Sequence, residues 1–179
     1  MSEIQRNPLI QTFLAKNAQL NLSAIRDEEG VLVKHIQDAL ELQKVLTFPK
    51  GSKVADVGTG GGFPLLPLAI ANPEVQFVGI DSVRKKTVAV HEMITELDIE
   101  NAKVIWGRIE EVEGVFDFIT ARAVAYVDKL IARSVHLLKK GGTLLLWKQK
   151  NEEEKSALLE ECKTWNLRLV KEHSYRLFP

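Results

Sequence analysis

The chain has 179 residues, 45% of them apolar and 27% charged, which is enough for one buried core and too little for two ordinary domains. Its 24 Lys and Arg balance 24 Asp and Glu, so bulk charge excludes a protein that coats nucleic acid or an acidic membrane, and any polyanion must meet a local patch. A single cysteine, Cys162, excludes a disulfide framework and a Cys-rich zinc site and agrees with a reducing compartment.

The start, Met1 to Ile10, carries Glu3 and Arg6 without an apolar run, unlike a secretory signal. Ile4, Leu9, Ile10, Phe13, Leu14 and Leu20 recur at helical spacing, and a second amphipathic helix is expected from about Glu28 to Leu46 with Asp27 as its N-cap. Lys50-Gly51-Ser52 then punctuates the chain, and short β-rich runs follow at Lys53 to Val57, Gln76 to Ile80, Lys103 to Trp106, Phe116 to Thr120 and Thr143 to Lys148. They are spaced too widely for hairpins. Strand, crossover helix, strand is the arrangement that fits, and it forces a mostly parallel, doubly wound α/β sheet. Glu152 to Trp165 reads as a further helix and Leu167 to Glu172 as a last strand; Trp106 and Trp147, at strand ends, are expected in the core rather than as base-stacking platforms, and Cys162 as a small buried residue. The longest apolar stretch, Phe63 to Ala71, is broken by Pro64 and Pro67 and is far too short for a bilayer. The expectation is one domain over residues 1–179, with N-terminal helices (1–50) capping an α/β core (51–179), in a cytoplasmic monomer with no membrane or metal partner.

The first strand runs into Asp56-Val57-Gly58-Thr59-Gly60-Gly61-Gly62-Phe63-Pro64, at the edge where doubly wound folds bind ligands. Four glycines in five positions let the backbone approach a ligand closely; a tight turn with no ligand is the plainer alternative. A dinucleotide fingerprint needs its third glycine where Phe63 stands. The Asp-x-Gly-x-Gly-x-Gly form is instead the usual turn of S-adenosylmethionine-dependent methyltransferases, a Rossmann-like class. Asp81, 23 residues after Gly58, is placed to accept both ribose hydroxyls, or else caps the next helix. Ile109 and Glu110 follow the third strand, where an adenine face and its amino group are expected, although Glu110 also reads as an ordinary helix-start acid.

The loop after the fourth strand, Thr120-Ala121-Arg122-Ala123, narrows the methyl acceptor. It holds no Asn/Asp-Pro-Pro-aromatic loop for an exocyclic amine, no cysteine nucleophile for a pyrimidine carbon, and no Asp set to ionise a ribose hydroxyl. Acceptors that already carry a free lone pair remain, and N7 of guanine is the leading one in nucleic acid. His35 and Asp38, three apart on one helix face, and Arg122 are the catalytic candidates, the first two equally readable as a structural pair. Arg84, Lys85, Lys86 and the run Lys148 to Lys150 are candidate RNA contacts near the C-terminal sheet edge.

These segments together resemble the bacterial 16S ribosomal RNA guanine-N7 methyltransferases, also named glucose-inhibited division protein B. The resemblance runs from about Asn21 to Gln149. It is carried by Asn21-Leu22-Ser23-Ala24-Ile25-Arg26, His35-Ile36-Gln37-Asp38-Ala39-Leu40, the glycine turn through Pro64 with Pro67-Leu68-Ala69, Asp81-Ser82 with Lys85-Lys86, Arg108-Ile109-Glu110-Glu111, and Arg122-Ala123. Ala39, Leu65 and Gln149 depart from the family pattern, and the chain stops at Tyr175 to Pro179, about where the family turns into a last antiparallel strand. The resemblance implies a class I methyltransferase fold, S-adenosylmethionine bound by Gly58, Phe63, Ile109, Glu110 and Arg122, and 16S ribosomal RNA in the small subunit as partner. From the residues themselves Gly60 and Asp81 join that cofactor set. A small-molecule methyltransferase and a non-catalytic cofactor- and RNA-binding module are the alternatives.

Overall fold

The computed structural model of the chain describes residues 1–122, 127–149 and 151–177, with the side chains of Glu3 and Ile4 excepted. Ala123 of the Arg122-Ala123 motif and Lys150 of the basic run therefore lie outside the described residues, as does the Ile4 side chain. Helix α1 (Glu3–Leu20) ends at Asn21, whose left-handed φ of 52° turns the chain back. Asp27 then caps α2 (Glu28–Val31) as expected, accepting the Gly30 N–H at 2.7 Å. The expected long helix does not continue regularly. It widens into a π-helical turn (Leu32–Gln37), passes through α3 (Asp38–Leu40) and tightens into a 3₁₀ turn (Glu41–Lys44).

Five strands follow, β1 (Lys53–Val57), β2 (Gln76–Asp81), β3 (Ala102–Trp106), β4 (Phe116–Arg122) and β5 (Leu138–Trp147), with α4 (Leu65–Ala71), α5 (Arg84–Glu96), α6 (Val127–Ser134) and α7 (Glu152–Thr164) between and after them. Every pairing is parallel and the order is β3-β2-β1-β4-β5. The chain winds outward from β1 to β3 and returns to β4, so the C-terminal ends of β1 and β4 frame the crevice at which such sheets bind ligands.

Alternation along the strands divides the interior into two layers. Val54 and Phe77 join α1, α4, α5 and the 28–44 segment in one, while Ala55, Val57, Val78, Ile80, Ile119 and Ala121 pack with Leu130 of α6 in the other. Asp56, Thr120 and Arg122, being two apart or in register, fall on the face that carries the N-terminal helices. That is why those helices reach the crevice.

Three further expectations are corrected. Leu167 to Glu172 does not form a strand. It leaves α7 through a Leu167 N–H bond to the Cys162 carbonyl at 2.7 Å and crosses to the N-terminal segment, where Lys171 donates to the Val45 carbonyl at 3.3 Å. Val170, 75% exposed, therefore stands in solvent despite its strand-like alternation. Trp106 is not interior either but 59% exposed, whereas Trp147 is half-buried against the core. Cys162 is half-buried rather than enclosed, because α7 buries no residue fully.

Candidate functional site

The glycine turn is fastened to the end of β2. The Gly58 and Thr59 N–H groups both donate to the Ile80 carbonyl, at 2.8 and 3.1 Å, and Gly60 N–H donates to Asp81 Oδ2 at 2.9 Å. Asp81 Oδ1 accepts the Val83 N–H at 2.8 Å, so the carboxylate both caps the entry to α5 and clamps the turn. A carboxylate offers about four lone-pair directions, so two remain for a ligand. At Gly60 φ is +58°, and the space a Cβ would fill is open, the nearest atom being the Gly58 carbonyl oxygen at 3.8 Å. The turn thus presents bare backbone over an uncrowded surface.

Beside the turn Asp56 is 1% exposed. Its Oδ1 accepts the Thr120 hydroxyl at 2.8 Å, and its Oδ2 has no hydrogen-bond partner among the described residues, nor has the buried Thr59 hydroxyl. Burial pushes the Asp56 pKa up from 3.8 to about 6, while the nearby Thr59 and Thr120 hydroxyls, the Arg122 charge and the Leu65 N–H pull the other way. A buried acceptor without a donor costs stability and matches a ligand that brings a positive group to this end of the sheet.

Arg122, the last residue of β4, gathers the N-terminal helical layer. Its Nη1 donates to Asp38 Oδ2 at 2.7 Å and to the Lys34 carbonyl at 3.0 Å, and its Nη2 donates to His35 Nδ1 at 2.8 Å. His35 Nε2 faces the Ser23 hydroxyl at 3.0 Å. The imidazole stacks on Phe63 with centroids 4.6 Å apart, and Phe13 meets both rings edge-on. Asp38 Oδ1 accepts the Tyr175 hydroxyl at 2.5 Å, and the Asp38 carbonyl accepts Trp147 Nε1 at 3.1 Å. Burial and then the Arg122 charge lower the His35 pKa from 6.5 to about 4, so the ring is neutral at physiological pH and accepts from the guanidinium. Burial and Asp38 raise that of the Tyr175 phenol, which stays a donor.

A family model described as rRNA small subunit methyltransferase G matches residues 4–176, nearly the whole chain. The chain belongs to that family. It is 42% identical over 142 residues to the ribosomal RNA small subunit methyltransferase G of Pelodictyon phaeoclathratiforme, the match covering 79% of this chain and 62% of that protein. The chain thus spans less than two-thirds of that relative's length. Two solved structures share the fold: a SAM-dependent methyltransferase from Aquifex aeolicus (TM-score 0.63, 19% identity, 79% of this chain and 85% of that one) and a ribosomal protein L11 methylase from Lactobacillus delbrueckii (TM-score 0.62, 20% identity, 80% and 74%). The expected class I methyltransferase fold, with its parallel sheet and N-terminal helices, is the one present.

Within this chain the expected site residues fall into four groups. Gly58, Gly60 and Asp81 meet at the turn, where Asp56, which was not among the expected site residues, joins them, and His35, Asp38, Phe63 and Arg122 meet beside it. Phe63 is 5% exposed, so its ring serves the contact between turn and helices. Glu110 is drawn toward α6 by Arg133, 3.0 Å away, and Ile109 packs at the margin of the second layer. Of the basic residues, Arg84 and Lys85 are exposed and Lys86 is half-buried, but Lys148 is ion-paired with Glu154 at 3.1 Å. Ser23, Trp147 and Tyr175 were not anticipated as partners in the Arg122 network. Ser23 sits in a segment that carried the family resemblance, whereas Tyr175 lies 137 residues from Asp38 and no local spacing announces it.

The two shifted groups make opposite demands on stability. His35, depressed to about 4, contributes stability present above pH 6.5 and lost as pH falls through 4. Asp56, raised to about 6, contributes stability present below pH 3.8 and lost as pH rises through 6. Between about pH 4 and 6 the two terms therefore oppose each other. Urea midpoints across this range are expected to rise with pH more steeply in Asp56→Asn than in the wild type, and less steeply in His35→Gln. Parallel curves for all three proteins would contradict this assignment.

Proposed function

We propose that this chain transfers a methyl group from S-adenosylmethionine to N7 of a guanosine in small-subunit ribosomal RNA. The observation that carries the reading is the open glycine turn with Asp81 clamped to Gly60 and, beside it, the buried Asp56 carboxylate with one unmatched oxygen, in a member of this family. These residues fit the cofactor. Gly60 leaves room for its aminoacyl part and Gly58, at a positive φ of 71°, bends the backbone toward it, Asp81 retains acceptor capacity for ribose hydroxyls, and Asp56 supplies negative charge close to its cationic groups. Ile109 and Glu110 border the adenine end, Phe63 holds the turn in place, and Arg122 anchors the N-terminal helices at the crevice or takes the cofactor carboxylate.

Bound there, S-adenosylmethionine supplies an electrophilic methyl group on sulfur. The chain's own work is alignment. N7 carries an in-plane lone pair and loses no proton on attack, so neither His35 nor Asp38 has to ionise for the chemistry. Holding the guanine in line with the methyl group contributes up to about 7–11 kcal/mol toward such a barrier. The base must leave its stack to be reached, and Arg84, Lys85 and Lys86 supply phosphate contacts at the rim. The substrate we favour is RNA within the assembled small subunit.

S-adenosylhomocysteine is expected to raise the melting temperature in a concentration-dependent way, by mass action on the folded state, and NAD to leave it unchanged. Stabilisation by NAD alone would overturn the reading. A small-molecule methyltransferase would bind S-adenosylhomocysteine but show no salt-sensitive binding to ribosomal RNA, and a silent binding module would bind both without turnover.

A further inference from the structure

Trp106 ends β3 and lies in register with Asp81 of β2, so the two side chains emerge on the same face of the sheet from strands about 4.8 Å apart. Asp81 clamps the glycine turn, whereas Trp106 is 59% exposed. Its ring is nonetheless fixed. The indole Nε1 donates to the Ser82 carbonyl at 3.0 Å, and the Arg84 guanidinium lies over the ring, 5.3 Å from its centroid. Val83, 38% exposed, extends the apolar surface, and Lys85 and Arg108 are exposed alongside it. The first turn of α5 carries Arg84, Lys85 and Lys86 with no acidic residue among them. A large aromatic surface held still in water, next to clustered cations, is what stacking on an unpaired base and contact with its phosphates require.

We propose that the Trp106–Arg84 shelf receives an unpaired nucleotide of the RNA strand neighbouring the guanosine in the crevice. The inference rests on the reading of the crevice as an RNA methyltransferase site and adds to it a second, sequence-tolerant foothold. The base stacks on the indole, and Arg84 and Lys85 meet the backbone, so the strand is held on both sides of Asp81. Stacking of this kind tolerates any base, because each presents a π-face. The shelf therefore adds affinity without choosing the target, which is left to the crevice.

The test measures the affinity of wild type, Trp106→Ala, Trp106→Phe and Trp165→Ala for naked 16S ribosomal RNA and for single-stranded oligoadenylate, with S-adenosylhomocysteine affinity measured alongside. Trp165 is a second exposed tryptophan, at the C-terminal cap of α7, and serves as the control. Trp106→Ala is expected to bind both RNAs about tenfold more weakly. Trp106→Phe should keep most of the affinity, and Trp165→Ala and all S-adenosylhomocysteine affinities should be unchanged. Arg84→Ala should reduce the slope of log affinity against log salt by about one. Undiminished RNA binding by Trp106→Ala overturns the proposal. So does a loss seen with assembled small subunits but not with naked RNA, which would assign the shelf to a ribosomal protein. A wild-type protein that binds assembled small subunits but neither naked RNA overturns the shelf alone, and one that binds S-adenosylhomocysteine but neither RNA nor the assembled subunit overturns the underlying reading and the shelf with it.

Discussion

Arg122→Ala is expected to lower the stability of the fold by about 3–5 kcal/mol, the usual cost of leaving one member of a buried ion pair alone. The Arg122 and Asp38 side chains are 15% and 13% exposed, so water does little to replace the lost partner. Among the described residues the Asp38 carboxylate would keep only the Tyr175 hydroxyl as a donor, the Lys34 carbonyl and His35 Nδ1 would lose the guanidinium, and the π-helical turn would lose its tie to β4. With the guanidinium gone, one of the two causes that hold the His35 pKa low is gone as well, so the ring becomes easier to protonate. Arg122→Lys keeps the charge but not the planar fork and should recover only part of the loss. Urea denaturation at neutral pH checks this. A loss below about 1 kcal/mol would place the pair among ordinary surface salt bridges.

Asp81→Ala is expected to weaken S-adenosylhomocysteine binding at least about tenfold, since hydrogen bonds to a charged group contribute about 1.5–3 kcal/mol each. Two causes act together. The ribose hydroxyls lose their acceptor, and the Gly60 and Val83 N–H groups lose the carboxylate that fastens the turn to β2. Asp81→Asn separates these causes only in part, because its single oxygen satisfies one of the two N–H groups while its NH₂ faces the other. Calorimetric titration that finds unchanged affinity in Asp81→Ala would leave Asp81 as a structural cap to α5 and clamp on the turn, with no bond to the ribose.

What was legible in the sequence is what local chemistry decides. The Asp27 cap needs only Gly30, three residues on, and the glycine turn needs only its own backbone and the strand before it. The strands announced themselves through their β-rich runs, and their wide spacing dictated parallel pairing. The break in the 28–44 segment was hidden because its cause is remote. Its apolar pattern suits a regular helix, but Arg122 on β4 takes the Lys34 carbonyl and draws in His35 and Asp38. The failed strand at Leu167 to Glu172 had good alternation and no partner to pair with, and pattern does not reveal the partner. Trp106 was misplaced for a related reason. It ends an outer strand, where only the tertiary arrangement decides whether an aromatic ring is covered. Asp56 could be seen as part of the turn motif, but its burial and unmatched oxygen emerge only once Thr120 stands in register beside it.

The central claim is the identity of the methylated atom, and single-turnover reaction of labelled S-adenosylmethionine with small subunits lacking N7-methylguanosine tests it most directly. Digestion to nucleosides is expected to place the label in N7-methylguanosine. The rate should vary little between about pH 6.5 and 8.5, because a lone-pair acceptor needs no general base and His35 stays neutral throughout that range. Label on an exocyclic amine or a ribose hydroxyl, or an acid limb in the rate that disappears in His35→Gln, would contradict the account.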